Sequence, residues 1–105
     1  MSMGVFSERV VKAAQKIPKG RVTTYGRIAR AAGGGALSAQ SITGILAKAS
    51  DEGAKIPFHR IVYADGKIWV NDTYRKERMA LYKKEGIKID KNGRVEQFRD
   101  KLFEF

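Results

Sequence analysis

The chain has 105 residues, 43% hydrophobic and 30% charged, a balance that suits one folded domain over residues 1–105 with a single modest core and excludes a disordered segment. It contains no cysteine and one histidine, which excludes disulfides, cysteine-ligated zinc and chemistry on a thiol, so no cofactor or metal cluster is expected. The formal net charge of +10 is uneven: residues 1–50 carry eight Lys or Arg against one Glu, and residues 51–105 carry thirteen against ten acids. Such a field draws polyanions and makes binding depend on salt, so nucleic acid is the first partner class, with a basic solubilising surface as the plainer reading. No apolar run approaches the roughly 18 residues of a membrane span, and no signal-peptide core opens the chain. A cytoplasmic, nucleoid-associated monomer without membrane contact is expected.

In chain order, Ser7 is a good N-cap, and Phe6, Val10, Ala14 and Ile17 recur at helical spacing, predicting a helix from about Glu8 to Lys16 that Pro18 and Gly20 end. Arg21-Val22-Thr23 reads as an extended link. Thr24 caps a second helix through Tyr25, Ile28, Ala29 and Ala32, and Gly33-Gly34-Gly35 forces a turn. Ser38 then caps a third helix over about Ala39 to Ala49, with Ile42, Ile45, Leu46 and Ala49 inward and Gln40, Ser41, Thr43, Gly44, Ala47 and Lys48 outward.

Two short helices joined by a glycine turn, inside the basic half, form a helix-turn-helix pattern whose third helix is the groove reader. Its outer side is small and nearly uncharged. That admits close approach to a groove floor but offers few groups for reading base edges, so low sequence specificity is expected. The competing reading is an ordinary helix pair in which Gly44 packs against a neighbour.

Further on, Ile61-Val62-Tyr63 and Lys67-Ile68-Trp69-Val70 flank Asp65-Gly66 and read as a β-hairpin. Asn71 or Asp72 caps a helix from about Thr73 to Glu85, with Tyr74, Met79, Leu81 and Tyr82 available for burial and Gly86 as its stop. In the tail, Ile87 and Ile89 suggest a strand, Asn92-Gly93 a turn, and Val95, Phe98 and Leu102 a last helical turn or two. The sole histidine lies in Ile56-Pro57-Phe58-His59-Arg60-Ile61-Val62, where proline fixes its own φ and biases Ile56 toward extended backbone.

Pro57-Phe58-His59-Arg60 resembles the Pro-Cys-His-Arg motif of the O-alkylguanine DNA alkyltransferases, with Phe58 where that family keeps its acceptor cysteine. Two other blocks extend the resemblance over about Ile17 to Gly86: Ile17-Pro18-Lys19-Gly20-Arg21-Val22-Thr23-Thr24-Tyr25-Gly26-Arg27-Ile28-Ala29 and Glu85-Gly86. A closer resemblance is to the alkyltransferase-like proteins, which keep the fold and lesion pocket but replace the cysteine, most often by tryptophan. It implies a mostly α domain with a small β-hairpin, winged helix-turn-helix-like as in the alkyltransferase C-terminal domain. The implied partner is double-stranded DNA with alkylated guanine. Such a protein binds in the minor groove, flips the lesion and holds it without transfer, marking it for nucleotide-excision repair, whose proteins are further implied partners.

Carried over by resemblance, Phe58, His59 and Glu85 are a degenerate relay with no nucleophile, so no residue is catalytic and His59 and Glu85 serve as architecture. Phe58 offers an aromatic surface on which a base can stack, worth ~1–3 kcal/mol. Tyr25 matches the tyrosine that presses on the DNA backbone beside a flipped nucleotide. Gln40 stands where the family places an intercalating arginine; it is a poorer stacker, so weaker support for flipping is expected. With Ser41, Gly44, Ala47, Lys48 and Arg60, itself either structural or phosphate-facing, Tyr25 and Gln40 make up the expected DNA contacts. Tyr25, Phe58, His59 and Trp69 bound the implied lesion pocket, Trp69 as an aromatic wall or a core member. Trp69-Val70-Asn71-Asp72 replaces the family's glycine-rich loop, and Ala49-Ser50 its hinge asparagine. The rival readings are a basic winged-helix DNA binder that has lost lesion recognition and a hydrolytic dealkylase.

Overall fold

Helical spacing of apolar residues and well-placed caps dictate the first half of the molecule. The computed structural model describes residues 4–34 and 39–105, the side chains of Ala39 and Gln40 excepted. Helix α1 runs over Val5–Gln15 and buries Val10, Ala13 and Ala14, with Ile17 just beyond it. It starts three residues before the expected Glu8, because extended Gly4 serves as N-cap and the Gly4 carbonyl accepts the Glu8 N–H. Phe6 then packs on the core, so apolar burial outweighs the capping preference of Ser7.

Strand β1 (Thr23–Thr24) leads into α2 (Tyr25–Ala31), whose N-cap is Thr24 as expected, its hydroxyl accepting the Arg27 N–H at 3.2 Å. Helix α2 ends in a Schellman turn. Gly34 N–H donates to the Ala29 carbonyl and Gly33 N–H to that of Arg30, with Gly33 at φ +90°, a conformation open to glycine without penalty. Helix α3 (Ala39–Asp51) runs two residues past the expected Ala49. Its apolar stripe meets α1 and α2 through Ile42, Leu46 and Ala49. The expected cap Ser38 lies outside the described residues.

After a 3₁₀ turn at Phe58–Arg60, strand β2 (Ile61–Val62) pairs parallel with β1, Thr23 opposite Ile61 and Thr24 opposite Val62. The mostly helical class stands, but the strands join differently from the expected hairpin. The Asp65-Gly66 turn does form, with Gly66 N–H bonded to the Tyr63 carbonyl and Tyr63 N–H to that of Lys67. There the pairing stops. Ile61 and Val62 are fully buried, as both faces of a parallel strand require, and β1 already pairs with them. Lys67 instead bridges Arg94, and Ile68 N–H reaches the Gly93 carbonyl.

Helix α4 (Arg75–Lys84) is entered through Asn71, whose side chain accepts the Tyr74 N–H at 2.9 Å. Tyr82 is its one fully buried apolar residue; Tyr74, just ahead of the helix, and Met79 are exposed, contrary to expectation. A second core joins Tyr82 to Val22, Val62, Ile68, Ile87 and Val95. Ile89 bridges Val95 around the Asn92-Gly93 turn, and α5 (Phe98–Lys101) is the last helical turn. The chain end then runs beside β1, Val22 exchanging backbone hydrogen bonds with Lys101 and Phe103.

Gly66 sits at φ +87°, and a Cβ there would lie 3.0 Å from the Phe98 ring; Gly53 has φ +102° but nothing within 4 Å among the described residues. Gly66→Ala is therefore expected to cost about 2–3 kcal/mol in urea unfolding, and Gly53→Ala about 1 kcal/mol, the backbone term alone.

Candidate nucleic-acid interface

The two cores meet at one carboxylate. Glu85, just past α4 and with a side chain 5% exposed, accepts four hydrogen bonds. To Oε2 come His59 Nε2 at 2.6 Å and Arg60 Nη2 at 2.8 Å; to Oε1 come Arg60 Nε at 3.0 Å and the Gly20 N–H at 3.1 Å. Every lone-pair direction of the carboxylate is thereby used. Burial alone would push this carboxyl up, but the hydrogen bonds from Arg60, His59 and Gly20 outweigh it and hold it down to about 2. An ionised Glu85 only accepts, so His59 Nε2 carries the proton of that bond.

His59 is buried and packs edge-on to the Tyr82 ring, centroids 6.0 Å apart. Its architectural role agrees with the expectation. Arg60 was expected to be structural or phosphate-facing, and three of its five N–H groups serve the structure: those of Nε and Nη2 hold Glu85, and Nη1 donates to the Ile17 carbonyl at 2.9 Å.

Phe58 precedes His59 on the same 3₁₀ turn, where consecutive side chains diverge by about 120°. It is half-buried against the first core and lines an open cavity of about 520 Å³, whose other walls include Gln15, Ser50, Ile56, Pro57 and Arg60. Of the four expected pocket residues, Phe58 lines that cavity and Tyr25, His59 and Trp69 do not. Trp69 is no core member either. It is exposed, with the Arg78 guanidinium 5.2 Å over its ring and Arg78 Nη1 donating to its carbonyl at 3.0 Å.

Tyr25 opens α2, half-buried, its ring tilted against Tyr63 at 6.0 Å. Burial and then Tyr63 raise its pKa, while the charge of Arg78 and contact with Thr43 of α3 act the other way. The tyrosine thus sits at the junction of α2 and α3. On α3, Ser41, Gly44, Ala47 and Lys48 are all exposed, as expected; Gln40 has its side chain outside the described residues. A Cβ on Gly44 or on Gly26 would touch nothing within 4 Å among the described residues. Gly44 therefore packs against no neighbour among the described residues, and an exposed helical glycine costs about 1 kcal/mol relative to alanine.

Residues 5–87 match the family model described as the DNA-binding domain of 6-O-methylguanine DNA methyltransferase. The chain belongs to that family. Its likenesses within the family are to alkyltransferase-like proteins. It is 35% identical to a DNA base-flipping protein of Escherichia coli over 92 residues, covering 87% of this chain and 69% of that one. To a DNA base-flipping protein of Vibrio parahaemolyticus it is 32% identical over 95 residues, covering 89% and 91%. The fold is shared with S. pombe Atl1 in a crystal structure with damaged DNA containing O6-carboxymethylguanine, at TM-score 0.76 and 24% identity over the whole of both chains. A second S. pombe structure, with DNA, matches at TM-score 0.74 and 26% identity, again over both whole chains. Helices α2 and α3 are accordingly the helix-turn-helix of an alkyltransferase-like fold.

Arg78 and Tyr63 were not singled out from the sequence. Arg78 is one of several basic residues on α4, and only the path of residues 63–74 brings it to Trp69 and Tyr25.

Glu85→Gln keeps the shape but places a neutral amide under a buried guanidinium, and about 3 kcal/mol of stability should be lost near neutral pH. Because the folded-state pKa lies below the ~4.3 of an unfolded chain, the stabilisation is fully present above about pH 4.5 and is lost as pH falls toward 2. Urea midpoints measured near neutrality and at about pH 3 should differ less for Glu85→Gln than for the parent chain.

Proposed function

We propose that this protein binds duplex DNA through the α2–α3 face in the minor groove, flips alkylated guanine, and holds it without removing the alkyl group. The observation that carries this is a family framework without its chemistry: the Pro57–Arg60 turn is clamped on Glu85, while the chain has no cysteine to receive an alkyl group. Phenylalanine at position 58 has no lone pair or acidic proton to substitute for a thiolate. The names of the bacterial relatives and the damaged DNA bound by Atl1 support the same reading. Marking the lesion for nucleotide-excision repair follows as the use of binding without turnover, with the repair proteins as partners. The open face of α3 supports close approach to a groove, and the net charge of +10 supports the phosphate contacts.

One observation favours a second reading, a basic winged-helix binder without lesion recognition: the cavity lined by Phe58 excludes Tyr25 and Trp69. The deciding measurement compares affinities for two duplexes identical except for a single O6-alkylguanine. Tighter binding of the alkylated duplex, with the protein mass unchanged after incubation, is expected; equal affinities would establish the second reading. Release of labelled alkyl groups over several turnovers would instead identify a hydrolytic enzyme.

The role of the α3 face has its own test. Gly44→Leu replaces the poorest helix former short of proline by one of the best, so the variant should be stabilised by up to about 1 kcal/mol. It should nevertheless bind duplex DNA at least about tenfold more weakly, since bulk on the outer side blocks approach to the groove. Unchanged affinity would remove α3 from the interface.

A further inference from the structure

Six large hydrophobic residues are exposed among the described residues, and four of them, Tyr63, Trp69, Tyr74 and Met79, fall within seventeen consecutive positions of the chain. Trp69 is the only tryptophan of the chain, and 42% of it remains in solvent. It is also fixed. Arg78 holds it twice, with the guanidinium 5.2 Å over the ring and a 3.0 Å bond from Nη1 to the backbone carbonyl. A ring braced in this way gives up little freedom when something stacks on it.

What would stack there is indicated by charge and by position. Arg78 lies over the indole from α4, a helix that also carries Arg75 and Lys76 in its first turn, in a chain of net charge +10. The patch is continuous with the helix-turn-helix, because Tyr63 leans on Tyr25 at 6.0 Å and the charge of Arg78 reaches the Tyr25 hydroxyl. A π surface beside basic groups at the mouth of a DNA-binding face suits a nucleobase, whose faces stack irrespective of sequence. It does not suit a paired base, whose faces are covered by its neighbours in the duplex.

We propose that the Trp69 indole, held from behind by Arg78, is a stacking plate for an unpaired nucleobase of DNA, alkylated or not. This rests on the reading that the α2–α3 face binds DNA, and it assigns the stacking to a surface separate from the Phe58 cavity. Arg78 is a positioning residue. The unpaired base has two sources, a nucleotide rotated out of a duplex or a single strand.

The sole tryptophan is its own reporter. Its fluorescence is followed while the full chain binds, in separate titrations, a single-stranded oligonucleotide, a duplex with one O6-alkylguanine, the fully paired duplex, and an abasic sugar-phosphate oligomer. Binding is measured independently by anisotropy of labelled DNA. Quenching by the single strand or by the alkylated duplex is expected, and which of the two quenches identifies the source of the base. The paired duplex and the abasic oligomer should bind without quenching. Trp69→Leu, at an exposed position, should lower affinity for the quenching DNA about tenfold and leave the abasic oligomer unaffected. Arg78→Gln should weaken the quenching while preserving the fold. Equal quenching by abasic and base-bearing oligomers, or unchanged affinity in Trp69→Leu, would overturn the plate. If the alkylated duplex is the DNA that quenches, a preference for it that survives Trp69→Leu intact would do so while leaving the proposed lesion binding in place.

Discussion

The structure depends on the Glu85 carboxylate. Donors from two segments distant in sequence, the Gly20 turn and the Phe58–Arg60 turn, converge on it at the end of α4. A buried ion pair adds little net stability over a well-packed apolar alternative, but breaking one side leaves a charge uncompensated. Its contribution is therefore to geometry: it sets the first core, built on α1, α2 and α3, at a fixed position against the second, built around Tyr82. Gly20, at φ +84° and with the Glu85 carbonyl 3.3 Å from where its Cβ would be, permits that approach.

The same clamp separates functions that lie next to one another in the sequence. Along the 3₁₀ turn, His59 points to Glu85 and Tyr82, whereas Phe58 points to the first core and its open cavity. A histidine whose Nε2 is committed to a carboxylate and whose ring packs on a tyrosine acts as a bracket. In a chain without a thiol, the residues that resemble a relay hold two turns of the fold together through Glu85.

The outer side of α3 is governed by a different constraint. Among the described residues Gly26 and Gly44 meet no neighbour that would forbid a larger residue. A surface kept smooth at some expense in helix propensity, in the half of the chain with eight basic residues and one acid, makes sense as a surface another molecule approaches. Tyr25 stands at its edge, and the arginine-braced indole stands beyond Tyr63.

Much of this was legible in the sequence wherever the determining forces are local. Thr24 capping α2, the glycine turn after Ala32, the inward stripe Ile42, Leu46 and Ala49, and the stop at Gly86 follow from caps, spacing and positive φ, which act within a few residues. The missing nucleophile follows from composition alone. Ile61-Val62 was readable as a strand, but its partner was not, because pairing with Thr23-Thr24 depends on which edge is free once the helices have packed. Likewise nothing local reveals that Arg60 bonds to Glu85 and Ile17, that Phe58 and His59 face apart, or that Arg78 lies over Trp69. Sequence determined the elements, the charge and the chemistry that is impossible here; tertiary structure alone decided which polar groups remain free for a partner, since a hydrogen-bonding group is available only where no distant segment has already claimed it.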